Sequence, residues 1–223
     1  MDYRIISIGA LSHHELWGEQ QAQRTPHATT TLIRSGEAVI VVDPGLPPQV
    51  VAARLKERSG LDPGAVNAVF LSNFRPAHRW GLSAFPNAIY YISEMEREAV
   101  GNALIERFDR VTDDEQRQML RQEIALLKRF RPAPERLAPQ VDLFPLPGFT
   151  PGTCGLLLLQ SNSTTLVAGD AIPTIEHLEQ GKLLPGCYDT GQARESFLEA
   201  IEIADVIIPA HDNITLNPSR RAL

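Results

Sequence analysis

The chain has 223 residues and a mass of 24.6 kDa, enough for one full hydrophobic core without disulfides or a structural metal, and tight for two domains. Hydrophobic residues are 43% and charged residues 22%, which excludes collagen, disorder and coiled coil as descriptions of the whole chain. Twenty-one Lys and Arg against 27 Asp and Glu leave a net charge of -6, which argues against a nucleic-acid binder, because phosphate contacts need cationic surface.

In chain order, the N-terminus carries an early Asp2 and no long apolar core, so no signal peptide is expected. No run is long enough to cross a bilayer, and no membrane partner is expected. Two cysteines, Cys154 and Cys187, give no disulfide framework and no zinc-finger spacing. A cytoplasmic protein is the expectation. Residues 4–8 read as a strand. Residues 29–34 and 38–42 read as a hairpin around Ser35-Gly36-Glu37, and Asp43-Pro44-Gly45 stops its second strand. Residues 49–58 have helical composition, and residues 68–71 and 88–92 read as buried strands. Residues 94–130 are rich in helix formers. Within them Thr112-Asp113-Asp114-Glu115 resembles a capping box, and Leu120, Ile124 and Leu127 share one helical face. Residues 131–135 form a proline-rich connection. Residues 156–160 and 166–168 read as a second hairpin, residues 192–204 as a helix and residues 206–209 as a late strand. One domain with a helical insert at about 94–135 is expected.

Chemistry concentrates just after strands, where loops commonly carry function. The segments are Ser72-Asn73-Phe74-Arg75-Pro76-Ala77-His78, then Gly169-Asp170, then Pro209-Ala210-His211. A fourth, Pro147-Gly148-Phe149-Thr150-Pro151-Gly152, is a tight loop before a strand. In order and spacing these resemble the metallo-β-lactamase superfamily, with its T-H-x-H-x-D-H, P-G-H-T-P-G, G-D and G-H motifs. Val42-Asp43-Pro44-Gly45 is also similar to a family feature. The resemblance spans about residues 29–211. It implies an α+β fold: a four-layered αβ/βα sandwich, two mixed sheets face to face with helices outside.

The family's two ions share a bridging aspartate. The first also takes the H-x-H pair and the loop histidine; the second takes the D-H pair and the final histidine. Carried onto this chain, the H-x-H positions hold Asn73 and Arg75, the aspartate position Ala77 and the loop position Phe149. Only His78, Asp170 and His211 match. Phe149 has no lone pair to give, and Arg75 is always protonated and repels a cation. A dinuclear hydrolase is therefore not expected.

Two readings stand from different classes. In one, the site holds little or no metal, Asp170 pairs with Arg75, and the cleft binds a small, anionic molecule or a partner without catalysis. In the other, His78, Asp170 and His211 hold one divalent ion, zinc or else iron or manganese, and hydrolyse an ester, lactone or thioester, with Arg75 gripping an oxyanion or carboxylate. A structural subunit paired with an active paralogue is a third idea, and a homo-oligomer is left open. Lesser candidates are read structurally: His13-His14-Glu15 as a surface loop, His27 as strand-edge packing ahead of a place at the cleft mouth, His177 as an exposed helix-start residue ahead of a proton donor reaching the cleft, Cys187 as a small buried residue, and Trp17 and Trp80 as packing. Arg107, Arg110, Arg121 and Arg129 read as a solvated face.

Overall fold

The computed structural model describes residues 1–220. Two six-stranded mixed sheets pack face to face. The first runs in chain order: β1 (Asp2–Ser7), β2 (Thr30–Ser35), β3 (Ala38–Val42), β4 (Ala68–Leu71), β5 (Ile89–Ile92) and β6 (Phe130–Pro132). β1 to β3 pair antiparallel, and β3 to β6 pair parallel. The second sheet has the order β12 (Thr215–Leu216), β11 (Val206–Pro209), β10 (Ser163–Gly169), β9 (Cys154–Gln160), β8 (Val141–Pro145) and β7 (Arg136–Ala138), with only β10 and β11 parallel.

Strand alternation builds the layers, because successive side chains point to opposite faces. Ile40, Val42, Ala68 and Phe70 face Val141, Leu156, Leu158, Val167 and Ile208 between the sheets. The intervening Val41, Val69 and Leu71 turn outward onto Val51 and Leu55 of α1 (Pro48–Ser59) and Leu127 of the insert. On the far side Leu166, Ala168 and Ile207 pack against Phe197 and Ala200. Central strands covered on both faces read as continuous apolar runs, as they do here. The one-turn helix α2 (Pro76–Arg79) follows β4.

The insert consists of α3 (Glu94–Arg110) and α4 (Asp114–Leu127), between β5 and β6. The helix opens at the expected segment, but Asp113, one residue after Thr112, caps α4 by accepting from the Gln116 backbone N–H. Two further α-helices follow among the described residues, α5 (Ile175–Gln180) and α6 (Thr190–Ile203). The proline-rich connection is partly corrected: Arg131 and Pro132 belong to β6, an edge strand in which proline is tolerated, while residues 133–135 link it to β7. Among the described residues no helix is long and apolar enough to cross a membrane.

The loop after β8 is anchored by the buried Glu96 of α3. Its Oε2 accepts from the Thr150 hydroxyl at 2.6 Å and the Gly152 N–H at 3.1 Å, and its Oε1 accepts from the Phe74 N–H at 3.0 Å. Gly152 touches the helix so closely that a Cβ there would lie 2.0 Å from the Glu96 nitrogen. Gly152→Ala must therefore move backbone, not a side-chain tip. We expect about 3 kcal/mol of destabilisation and a melting temperature roughly 6–12 °C lower. An unchanged thermal transition contradicts this packing.

Candidate metal centre

Four parallel strand ends converge at one edge of the sandwich. Asp43 follows β3 directly, Ser72 and Asn73 follow β4, Asp170 follows β10, and His211 comes two residues after β11. Gly169 has φ +54°, and a Cβ there would meet the Ser72 Cβ at 2.7 Å. Glycine at that point lets the two sheets approach where Asp170 must meet His78.

The three residues sit together and are buried, His78 at 1%, Asp170 at 3% and His211 at 8% exposure. Asp170 lies between the histidines. Its Oδ2 is 2.9 Å from His78 Nε2, and its Oδ1 is 3.0 Å from His211 Nε2. His211 Nδ1 lies 3.0 Å from the His27 carbonyl oxygen, which fixes its ring. Asp43 reaches the other side of His78: its Oδ2 is 3.2 Å from His78 Nδ1 and accepts from the Ser72 hydroxyl at 2.7 Å. The Ser72 backbone N–H holds the second oxygen at 2.8 Å. Asp43 is a non-glycine residue at φ +47°, an uncommon conformation kept by these bonds.

Burial opposes charge on His78, but Asp170 and Asp43 outweigh it and raise its pKa to about 10. Burial likewise opposes ionisation of Asp170, yet His78 and His211 hold its carboxyl well below the ordinary range. In the metal-free protein His78 is thus an imidazolium between two carboxylates. A folded pKa raised above the unfolded value stabilises fully below about 6.5 and is lost as pH climbs towards about 10. Stability of the metal-free protein should fall between pH 7 and 9 by up to about 1.4 kcal/mol per pH unit. Urea unfolding with a chelator measures this; a flat profile contradicts the doubly bonded imidazolium.

The substituted positions surround this cluster. Asn73 donates from Nδ2 to Asp170 Oδ2 at 2.8 Å, while its Oδ1 accepts from the Arg75 N–H at 3.0 Å. Its carbonyl is therefore turned away from the ligand position. Arg75 corrects an expectation. It makes no ion pair with Asp170 among the described residues; its guanidinium lies 4.0 Å from the centroid of the Phe149 ring. The two replacements for metal-binding histidines have stacked on each other. A cleft of about 420 Å³ opens over the cluster, lined by Arg75, Ala77, His78, Phe149, Asp170, His177 and His211, with Leu11, Leu184 and Pro185 adding apolar wall.

The family's metal can be tested against these residues. A two-ion site does not fit: Arg75, Ala77 and Phe149 offer no donor, and Asn73 presents its N–H₂. One ion does fit, because one ligand atom from each of His78, Asp170 and His211 lies within 4.8 Å of the others. Two imidazoles and a carboxylate suit zinc or a softer-geometry ion such as Fe(II). Asp43 is the outer partner that would orient His78 by accepting from Nδ1–H, a role sequence reading assigned only to a turn.

Several lesser expectations change. His14 is buried at 2% exposure, not a surface residue, and stacks on Trp17 at 4.2 Å. Trp17 itself is 57% exposed, and Trp80 is 51% exposed and lines a second hollow that shares Pro26, Pro76 and Ala77 with the cleft. His177 is buried and lines the cleft, where an exposed position was expected. Cys187 is half-buried and lies outside the cleft lining. His27 bridges to Ala10 at the strand edge, as expected. Arg107, Arg110, Arg121 and Arg129 are exposed and line no part of the cleft.

A layered αβ/βα sandwich with a His-Asp-His cluster at its strand ends is the architecture of the metallo-hydrolases. The metallo-beta-lactamase superfamily model matches residues 25–211, and the chain belongs to that family. Among solved structures, a Thermotoga maritima protein described as a metallo-beta-lactamase is 17% identical, with a TM-score of 0.68 over 96% of this chain and 98% of that one. AidC, a dizinc quorum-quenching lactonase in complex with a product, N-hexanoyl-L-homoserine, is 21% identical, with a TM-score of 0.62 over 78% of this chain and 67% of its own. A mutant of the B. thuringiensis protein AiiA, with N-decanoyl-L-homoserine bound at its active site, is 19% identical, with a TM-score of 0.61 over 90% of this chain and 86% of its own. Likeness at this identity shows the fold. No curated protein sequence matches the chain.

Proposed function

We propose that the protein is a single-metal hydrolase of small esters, lactones or thioesters that carry an anionic group. The observation that carries this reading is the separation of Arg75 from Asp170. Arg75 stacks on Phe149 and leaves His78, Asp170 and His211 convergent in the same cleft. His78, Asp170 and His211 would hold a divalent ion, which would supply a Lewis acid for a carbonyl oxygen. The chain's own groups supply the rest. Arg75 offers fixed donors to a carboxylate or developing oxyanion, and Phe149 keeps that guanidinium in place. Leu11, Leu184 and Pro185 exclude water from the apolar body of the substrate. The lactonase AidC among the neighbouring folds supports the choice of ester-like substrates.

The test is turnover of a panel of lactones and nitrophenyl esters by untagged, metal-loaded protein. Activity that disappears with chelator and returns with one metal supports the reading. Arg75→Ala should raise KM about tenfold for substrates with a carboxylate and leave neutral analogues unchanged. Equal losses on both, or turnover indifferent to chelator, contradicts it.

A second reading is favoured by one observation. Both Asp170 oxygens, both His78 nitrogens and both His211 nitrogens have partners within the protein. A cluster satisfied in this way can persist as scaffold, with the cleft binding an anionic molecule and catalysing nothing.

A further inference from the structure

His177 stands outside the metal cluster, yet its side chain lines the same cleft as Arg75 at 3% exposure. One ring nitrogen is tied down. Nδ1 lies 2.8 Å from the Thr174 hydroxyl oxygen. That hydroxyl lies 2.9 Å from Glu176 Oε2 and donates to it. A hydroxyl has one proton, and an ionised carboxylate can only accept, so the proton goes to Glu176. The 2.8 Å contact must then be His177 Nδ1–H donating to Thr174. Nε2 is left as a bare lone pair. Among the described residues it meets no hydrogen-bond partner, and it is not among the sealed, partnerless buried atoms, which are Ser7 Oγ, His14 Nδ1 and Thr31 Oγ1. It keeps an opening, and the opening of His177 is the cleft.

We propose that His177 Nε2 is a fixed hydrogen-bond acceptor in the cleft wall, which selects ligands bearing an N–H or O–H donor near the anionic group held by Arg75. The ligand class is thereby narrowed to an anion with an apolar body and one hydrogen-bond donor. The proposal rests on the reading of the cleft as a small-molecule site, and it does not need the metal. Burial, and after it the charge of His14, push the His177 pKa down to about 4, so the acceptor persists at neutral pH. Glu176 keeps the proton order: burial opposes its charge, but its own backbone N–H, Trp17 and Thr174 together hold its carboxyl below the ordinary range. Trp17 Nε1–H donates to Glu176 Oε1 at 2.9 Å, which fixes the carboxylate from one side. His14 Nε2 lies 3.2 Å from Glu176 Oε2, so its N–H adds a further donor to the same carboxylate.

The test uses metal-free protein in chelator and a matched pair of ligands, N-benzoylglycine and N-benzoyl-N-methylglycine. Both carry a carboxylate and a phenyl ring; only the first carries an N–H. The intact protein should bind N-benzoylglycine at least about tenfold more tightly, since an unmet buried acceptor costs about 1–3 kcal/mol. His177→Phe should bring the two affinities within about twofold, as that change removes the acceptor and keeps a ring. Nitrogen NMR of the unsubstituted protein at pH 7 should show Nδ1 protonated and Nε2 not, a readout that needs no variant to fold. A protonated Nε2, a preference that survives in His177→Phe, or a wild-type protein that binds neither ligand or both equally overturns the proposal. Absence of metal or turnover would sink the hydrolase reading and leave this result standing.

Discussion

Asp170→Asn should abolish metal binding and destabilise the protein by about 3–5 kcal/mol, the range for breaking a buried charge pair from one side. Among the described residues Asp170 alone bonds both histidines of the cluster through its side chain, at 2.9 Å and 3.0 Å. Its carboxylate balances the imidazolium of His78, which Asp43 alone cannot fully compensate from the other ring nitrogen. An asparagine keeps the size and loses the charge, so no cavity confuses the result. It also turns one accepting oxygen into a donor facing Asn73 or a histidine, which already donate to that position. Unfolding by urea reads the stability, and elemental analysis reads the metal. A variant with wild-type stability and full metal content contradicts the central place given to Asp170.

The second large effect is a gain. Replacing Asn73→His, Arg75→His, Ala77→Asp and Phe149→His together should raise metal capacity from one ion to two. The backbone positions already converge: Asn73 touches Asp170, and Arg75 and Phe149 stack in the same cleft. What is missing is donor chemistry, and Arg75 adds a fixed positive charge that opposes a second cation. Arg75 and Phe149 must change together, because each packs on the other. Three imidazoles and a second carboxylate complete a set in which Asp170 bridges. Capacity that stays at one ion or less would show that the backbone, and not only these four side chains, has departed from a two-metal geometry.

Much of the fold was legible because the central strands are apolar on both faces. Residues 38–42, 68–71 and 206–209 are strands within the bounds their composition predicts. β6, β7 and β8 were not legible. They are short strands at a sheet edge or next to one, containing or flanked by proline, and composition alone marks no strand there. The convergence of His78, Asp170 and His211 was legible from motif order. The partner of Arg75 was not, since a cation over an aromatic ring leaves no periodic mark, whereas opposite charges at two motif positions suggest an ion pair. The cleft position of His177 was the less favoured of two readings for a different reason. A histidine at a helix start reads as solvated, although Thr174 three residues earlier is a capping signal that could have placed it. Asp43 was read as a strand stop; its place beside the end of β4 follows from the parallel pairing of Val42 with Phe70.

The most direct test of the single-metal account is the metal content of untagged protein, measured by elemental mass spectrometry before and after incubation with zinc, iron or manganese, alongside His211→Ala. The account predicts close to one equivalent in the loaded protein and a loss of most of it in the variant. Two equivalents in the unsubstituted chain, or far less than one after loading with each metal, would contradict it.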